Sequence, residues 1–420
     1  MHPGRILRIV ATAFIVLLLG RGDVSAQQDV GDLGMSEKAY VASKIYSSLQ
    51  LYFAHWRGTP DFDLDSEFKS YLSHALNTNS RLDFDLATLE FIARLHNGHT
   101  HFFDQWLNKN YGQSLGFEIS SVQGKWVVTS SSNERLKLGD TVTAIDGVDT
   151  DRFVHDKTRY VAASNERVAI SHVASSEFLW PERFTLSLEG GRSVPIERAS
   201  LHNADEAKPP TTEGRWLIEG QVAYIKIPSF GNADYEARAL EYVKEYQRAK
   251  SLIIDVRGNG GGMTPWRLID LLMNRPWRDW EQTTPQHNAL SRARGGPSST
   301  LRLSSQIHQP SAGAFAGRLV MLIDRYTGSA AEDFVMPFRD NRRAEVVGET
   351  SQGSSGQPYF FDFGNGMRLM VGSVRYNFPD GSEFESVGIM PTLQIETRAE
   401  DLRSGTDPIL AAALKIAQSQ

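Results

Sequence analysis

The sequence predicts an α/β protein whose second half holds a largely parallel sheet, preceded by a helical segment and a β-rich one. Three observations carry this. After Val222, apolar runs such as Leu252-Ile253-Ile254 and Leu319-Val320-Met321-Leu322-Ile323 alternate with stretches of helical period, as strands covered on both faces by crossover helices require. Between Tyr111 and about Ser200 apolar residues recur at every second position. From Ser36 to about Asn108 they recur at every third or fourth.

At the start, Arg5 and Arg8 precede the apolar run Ile9 to Leu19, and Val24-Ser25-Ala26 supplies small residues at a cleavage spacing. Residues 1–26 therefore read as a secretory leader, since the run is shorter than the ~20 residues that cross a bilayer. A secreted or periplasmic protein is expected, with no membrane span once the leader is removed. Residues 27–110 read as an N-terminal helical domain, with Asp85 as a helix N-cap and Gly98 just past a helix end.

Residues 111–200 read as the β-rich domain, with Glu189-Gly190-Gly191-Arg192 as a hairpin turn. The polar stretch from His202 to Arg215 reads as a linker, and residues 201–420 form the α/β core. Helices are expected over about 234–250, after Met263 and from Ser329. Trp266, Trp277 and Trp280 are assigned to the core.

Composition excludes several chemistries. The chain of 420 residues has no cysteine, so covalent catalysis must use oxygen or nitrogen, and thiolate metal sites are excluded. A formal charge of −6 without a basic run argues against nucleic acid as a partner. No cofactor motif is present: the Gly-rich run Asp255-Val256-Arg257-Gly258-Asn259-Gly260-Gly261-Gly262 matches neither the phosphate loop nor the dinucleotide fingerprint. Its position after a strand and before a helix suits an oxyanion, or only a tight turn.

Ser329 opens a helix in Thr327-Gly328-Ser329-Ala330-Ala331-Glu332. It is either an N-cap, worth ~1 kcal/mol, or a nucleophile with the Ala330 N–H placed to stabilise developing charge. His96, His99 and His101 raise a metal site as a rival, but alternate histidines share a face only on a strand, and these follow a helix.

Ordered along the chain, six segments resemble the tail-specific (C-terminal processing) and tricorn-type serine peptidases: His96-Asn97-Gly98-His99-Thr100, the β-rich domain, Tyr224 to Phe230, Asp255 to Gly262, Thr327 to Glu332, and Val347-Gly348-Glu349-Thr350. The resemblance implies a crotonase-like core. Within the β-rich domain, Ser114-Leu115-Gly116-Phe117 followed by Leu136 to Gly147 resembles a PDZ domain, which implies capture of peptide C-terminal carboxylates by strand addition.

The resemblance implies Ser329 as nucleophile, with Ala330 and an amide of the Gly260 to Gly262 run, Gly261 or Gly262, as oxyanion hole. Processing peptidases use a lysine base shortly after Glu-Thr, yet that position here is Ser354 and no lysine lies between Lys250 and Lys415. The tricorn-type pairing with a histidine and a late glutamate remains: His99 as base and Glu385 as carboxylate, with Glu383 as a near rival. Tricorn-type enzymes carry a serine just before the histidine, where this chain has Gly98. The expected protein is thus an exported peptidase acting on polypeptides. The alternative is a non-catalytic protein on the same fold that holds a peptide or an apolar ligand.

Overall fold

The computed structural model describes residues 31–198, 210–294 and 299–419; the leader and most of the expected linker lie outside them. Its centre is a six-stranded sheet ordered Leu393–Gln394, Ala344–Gly348, Arg318–Ile323, Ser251–Asp255, Val222–Lys226 and Glu213–Ile218. All neighbours pair in parallel except Glu213–Ile218, which runs antiparallel to Val222–Lys226. The expected linker therefore ends before Glu213, because the two segments meet across a turn at Gly220, where φ is +67°.

Alternation along these strands sorts side chains to two faces. Leu252, Ile254, Leu319, Met321 and Ile323 enter one core with the helices Ala233–Glu245, Trp266–Leu272 and Ala330–Asp340. Ile253, Val320, Leu322 and Val347 face the opposite way, against Ile409 and Ala413 of the helix Pro408–Gln418. Each such aliphatic side chain, fully removed from water, contributes roughly 1.5–3 kcal/mol. Trp277 and Trp280 are buried as expected, whereas Trp266 is exposed.

A second sheet, ordered Phe117–Val122, Lys125–Ser131, Thr141–Ile145, Arg183–Leu188 and Ser193–Glu197, encloses its own apolar cluster with the helices Thr150–Lys157 and Glu166–Ala174. The turn at Gly190 and Gly191 lies where the sequence puts it, both with positive φ.

The N-terminal segment is less purely helical than its periodicity suggests. Helices Met35–Tyr52, Leu64–Leu76 and Arg81–Ala93 are followed by a strand, His101–Asp104, paired antiparallel with Met367–Gly372. Phe102, Met367, Leu369 and Val371 share one core with the helices, so the first and last thirds of the chain pack together. Ser80, not Asp85, caps the third helix, its side chain accepting from the Asp83 N–H. Asp85 lies one turn further in and is fully buried. That helix ends at Ala93 with Arg94 as its cap, so Gly98 lies beyond its end.

Candidate active site

The nucleophile candidate is positioned by two loops that lock together. Asp324 Oδ1 accepts from the Gly258 and Tyr326 N–H groups, both at 3.0 Å. Thr327 Oγ1 donates to Val256 O at 3.0 Å, and the Gly328 N–H to Asn259 O at 3.0 Å. Ser329 follows at φ 52°, ψ −125°, a conformation that costs a non-glycine residue about 1–3 kcal/mol. Its N–H is held by Glu332 Oε2 at 3.0 Å and by Ser354 O at 3.0 Å. Although Ser329 occupies the N-cap position of the Ala330–Asp340 helix, its side chain makes no cap hydrogen bond. The hydroxyl instead faces His99.

His99 arrives from the opposite end of the chain. Asn97 Oδ1 accepts from the His99 N–H at 3.2 Å and from Thr100 Oγ1 at 2.8 Å, and Thr100 Oγ1 accepts from the Gly372 N–H at 3.1 Å. These bonds seat the turn that precedes the His101–Asp104 strand. His99 Nε2 then lies 2.9 Å from Ser329 Oγ, across 230 residues of sequence. Its Nδ1 lies 2.8 Å from Ser354 Oγ.

Glu385 makes no direct hydrogen bond to the imidazole. Its Oε1 accepts from Ser164 Oγ at 2.6 Å and Asn97 Nδ2 at 3.0 Å, and His55 Nδ1 stands 3.8 Å away. Glu383 is half-exposed and pairs with Arg375, outside this cluster. Sequence reasoning missed three of these residues: Ser164, whose segment carries no motif; Asn97, quoted without a role; and His55, in a stretch not singled out. Ser354 was noticed only as an absent lysine.

Burial is the main force on the titrating groups. It lowers His99 to about 4, helped by nearby His101, so the ring is neutral near pH 7 and holds a lone pair for a proton. It lifts Glu385 to about 7, against the hydrogen bond from Ser164, the charge of Arg375, the hydrogen bond from Asn97 and the nearby Ser354 hydroxyl. His55, pushed down to about 3 by burial, is neutral as well.

The Gly-rich loop does not open a helix directly: the Trp266–Leu272 helix starts later, capped by Pro265. Gly261 packs so closely that a Cβ there would fall 2.6 Å from Ser329 Cβ and 2.8 Å from Ala330 N. Its N–H donates to Asn259 Oδ1 at 2.9 Å and is therefore not free for an oxyanion. Among the described residues the Ala330 and Gly262 N–H groups have no acceptor. No group of three His, Asp or Glu side chains among them is arranged to hold a metal ion, and His101 Nε2 bonds Gly98 O instead.

Nε2 beside a hydroxyl at the start of a helix, with unpaired N–H groups next to it, is a geometry in which a serine can be activated as a nucleophile. The sequence model of Peptidase family S41 matches residues 221–395. The carboxyl-terminal-processing protease of Synechocystis is 27% identical over 265 residues, 62% of this chain and 55% of that one. The tricorn protease of Thermoplasma acidophilum is 25% identical over 203 residues, 47% of this chain and 16% of that one. In fold, the chain is similar to mature CPAF in complex with lactacystin, with a TM-score of 0.70 at 14% identity, covering 91% of this chain and 98% of that one. The chain spans about half the length of the first processing proteases it matches.

Proposed function

We propose that the protein is a serine peptidase that hydrolyses peptide bonds through an acyl-enzyme on Ser329. The observation that carries this reading is the 2.9 Å contact between Ser329 Oγ and His99 Nε2. In the first step His99 Nε2 takes the hydroxyl proton as Oγ attacks the scissile carbonyl. The imidazolium then returns that proton to the leaving amine, and water repeats the sequence on the ester. The Ala330 N–H, with that of Gly262, receives the oxyanion, and Glu385 supplies the negative charge that favours the imidazolium.

The same reading extends to the rest of the chain. The core over 201–420 is crotonase-like, the 111–200 segment is a PDZ-like module that receives polypeptide C-terminal carboxylates, and the 27–110 segment delivers the base. The enzyme works outside the cytoplasm once residues 1–26 are removed. Among the described residues no helix is long and apolar enough to cross a membrane.

A fluorophosphonate probe and an unstructured polypeptide substrate test the activity together. Wild-type protein should label on Ser329 and cleave the substrate, and Ser329→Ala should lose labelling and several orders of magnitude in rate. A wild-type serine that resists the probe would favour the alternative, a peptide- or apolar-ligand-binding protein on the same fold.

A further inference from the structure

Gly98 is not demanded by its backbone. It is absent from the glycines with positive φ, so any residue could adopt its conformation. What it lacks is room: a Cβ there would fall 2.7 Å from Ser354 Oγ, 3.1 Å from Ser354 Cβ and 3.2 Å from Ser164 Oγ. The volume that a side chain at 98 would fill is taken by the hydroxyl of Ser354. That hydroxyl is buried and meets His99 Nδ1 at 2.8 Å, and it is near enough to Glu385, whose Oε2 has no partner at bonding distance, to favour the charged carboxylate. Ser354 is held at both backbone ends as well, its N–H by Glu332 Oε2 at 3.2 Å and its carbonyl by the Ser329 N–H at 3.0 Å. One residue thus grips the backbone of the alcohol and the ring of the base.

We propose that Ser354 is a positioning residue that sets the tautomer of His99, relaying the charge of Glu385 to the imidazole across the gap that Gly98 leaves open. The direction of the hydrogen bonds is what matters. An ionised carboxylate can only accept, so it draws the Ser354 O–H towards itself and leaves Ser354 Oγ as acceptor for Nδ1–H. The proton is thereby kept on Nδ1, and the Nε2 lone pair faces Ser329 Oγ. When Ser329 attacks, its proton goes to Nε2, Nδ1–H stays where it is, and Ser354 neither gains nor loses a proton. With Ser354 turned the other way, Nε2 would carry the proton and the ring would be no base towards Ser329.

The inference rests on the serine-peptidase reading but is tested apart from it, because a tautomer is observable without turnover. In ¹⁵N-histidine-labelled protein, His99 should show the Nδ1–H form. Ser354→Ala should lose that preference and lower kcat about 100-fold or more, while KM stays within about threefold. Gly98→Ser alone should be poorly active through the clash. The exchange Gly98→Ser with Ser354→Gly moves the hydroxyl to the other side of the same gap and should recover at least tenfold over Ser354→Ala. Unchanged tautomer and kcat in Ser354→Ala, alongside an inactive Ser329→Ala, would overturn the relay and leave the peptidase standing. Full activity in Ser329→Ala would overturn the peptidase whatever the ring shows. If Ser354→Ala melts early, the double exchange carries the test: recovered folding without recovered tautomer counts against the relay.

Discussion

Asn259 fastens Gly261 from below: its Oδ1 takes the Gly261 N–H at 2.9 Å while its Nδ2 donates to Ile227 O at 3.1 Å. Its own carbonyl accepts the Gly328 N–H, so one buried residue joins the Gly-rich loop, the residue that follows the 222–226 strand and the loop before Ser329. Asn259→Ala frees the Gly261 N–H and loosens the neighbouring amides. Removal of a pre-aligned donor costs a hydrolase about 10²–10³ in kcat, and a loosened one should cost about tenfold or more. Steady-state kinetics should show this in kcat with KM little changed.

Arg167 ties the second sheet's domain to the site, donating to Thr350 O at 3.1 Å and Ser351 O at 2.7 Å. Asn165 adds a bond from Nδ2 to Gln352 O at 2.8 Å. These contacts hold the segment that carries Ser354. Arg167→Ala should lower kcat about tenfold, near 1.4 kcal/mol in activation free energy, with circular dichroism unchanged. Wild-type kinetics in this variant would show that the segment holds itself.

The pH dependence follows from two buried groups displaced in opposite directions. His99, lowered to about 4, is a free base throughout the neutral range, whereas Glu385, raised to about 7 by burial, gains its charge only as the pH climbs. Activity should therefore rise with pH through about 7 rather than near 4. In Glu385→Gln the step near 7 should vanish and the plateau fall about tenfold or more, as read from kcat/KM between pH 4 and 9.

Asp85 offers a stability test away from the site. Burial, and then the Asp104 carboxylate, raise its pKa, and neither of its oxygens has a hydrogen-bond partner at bonding distance. A carboxyl whose folded pKa lies above its unfolded value costs nothing below about pH 4, where both states are protonated. The cost grows as the pH rises towards the folded pKa. Asp85→Asn should match wild type in denaturant melts at pH 4 and exceed it by at least about 1 kcal/mol at pH 7.

The parallel core was legible because its strands are apolar on both faces and their lengths match the alternation; Arg318–Ile323 and Ser251–Asp255 fall within a residue of the expected limits. The strand His101–Asp104 was hidden, since four residues give too little period to compete with the helix before them. Ser329, His99 and Glu385 could be named from motifs. What joins them could not: Ser354 and Ser164 contribute through proximity across 255 and 221 residues, and no local pattern marks such pairs. Gly98 and Ser354 each looked like a loss when read singly, and only their shared volume links them. The Gly261 amide was misassigned because sequence cannot tell which way a glycine N–H points.

The distance along the chain between His99 and Ser329 also orders events at the ribosome. An emerging polypeptide displays its imidazole long before the alcohol is made, and Glu385 comes later still. Until that last third has been translated and has docked on the first, no fragment holds both halves of the reactive pair. The proton transfer proposed for the pair thus becomes possible only once the late segment has been made and has met the early one.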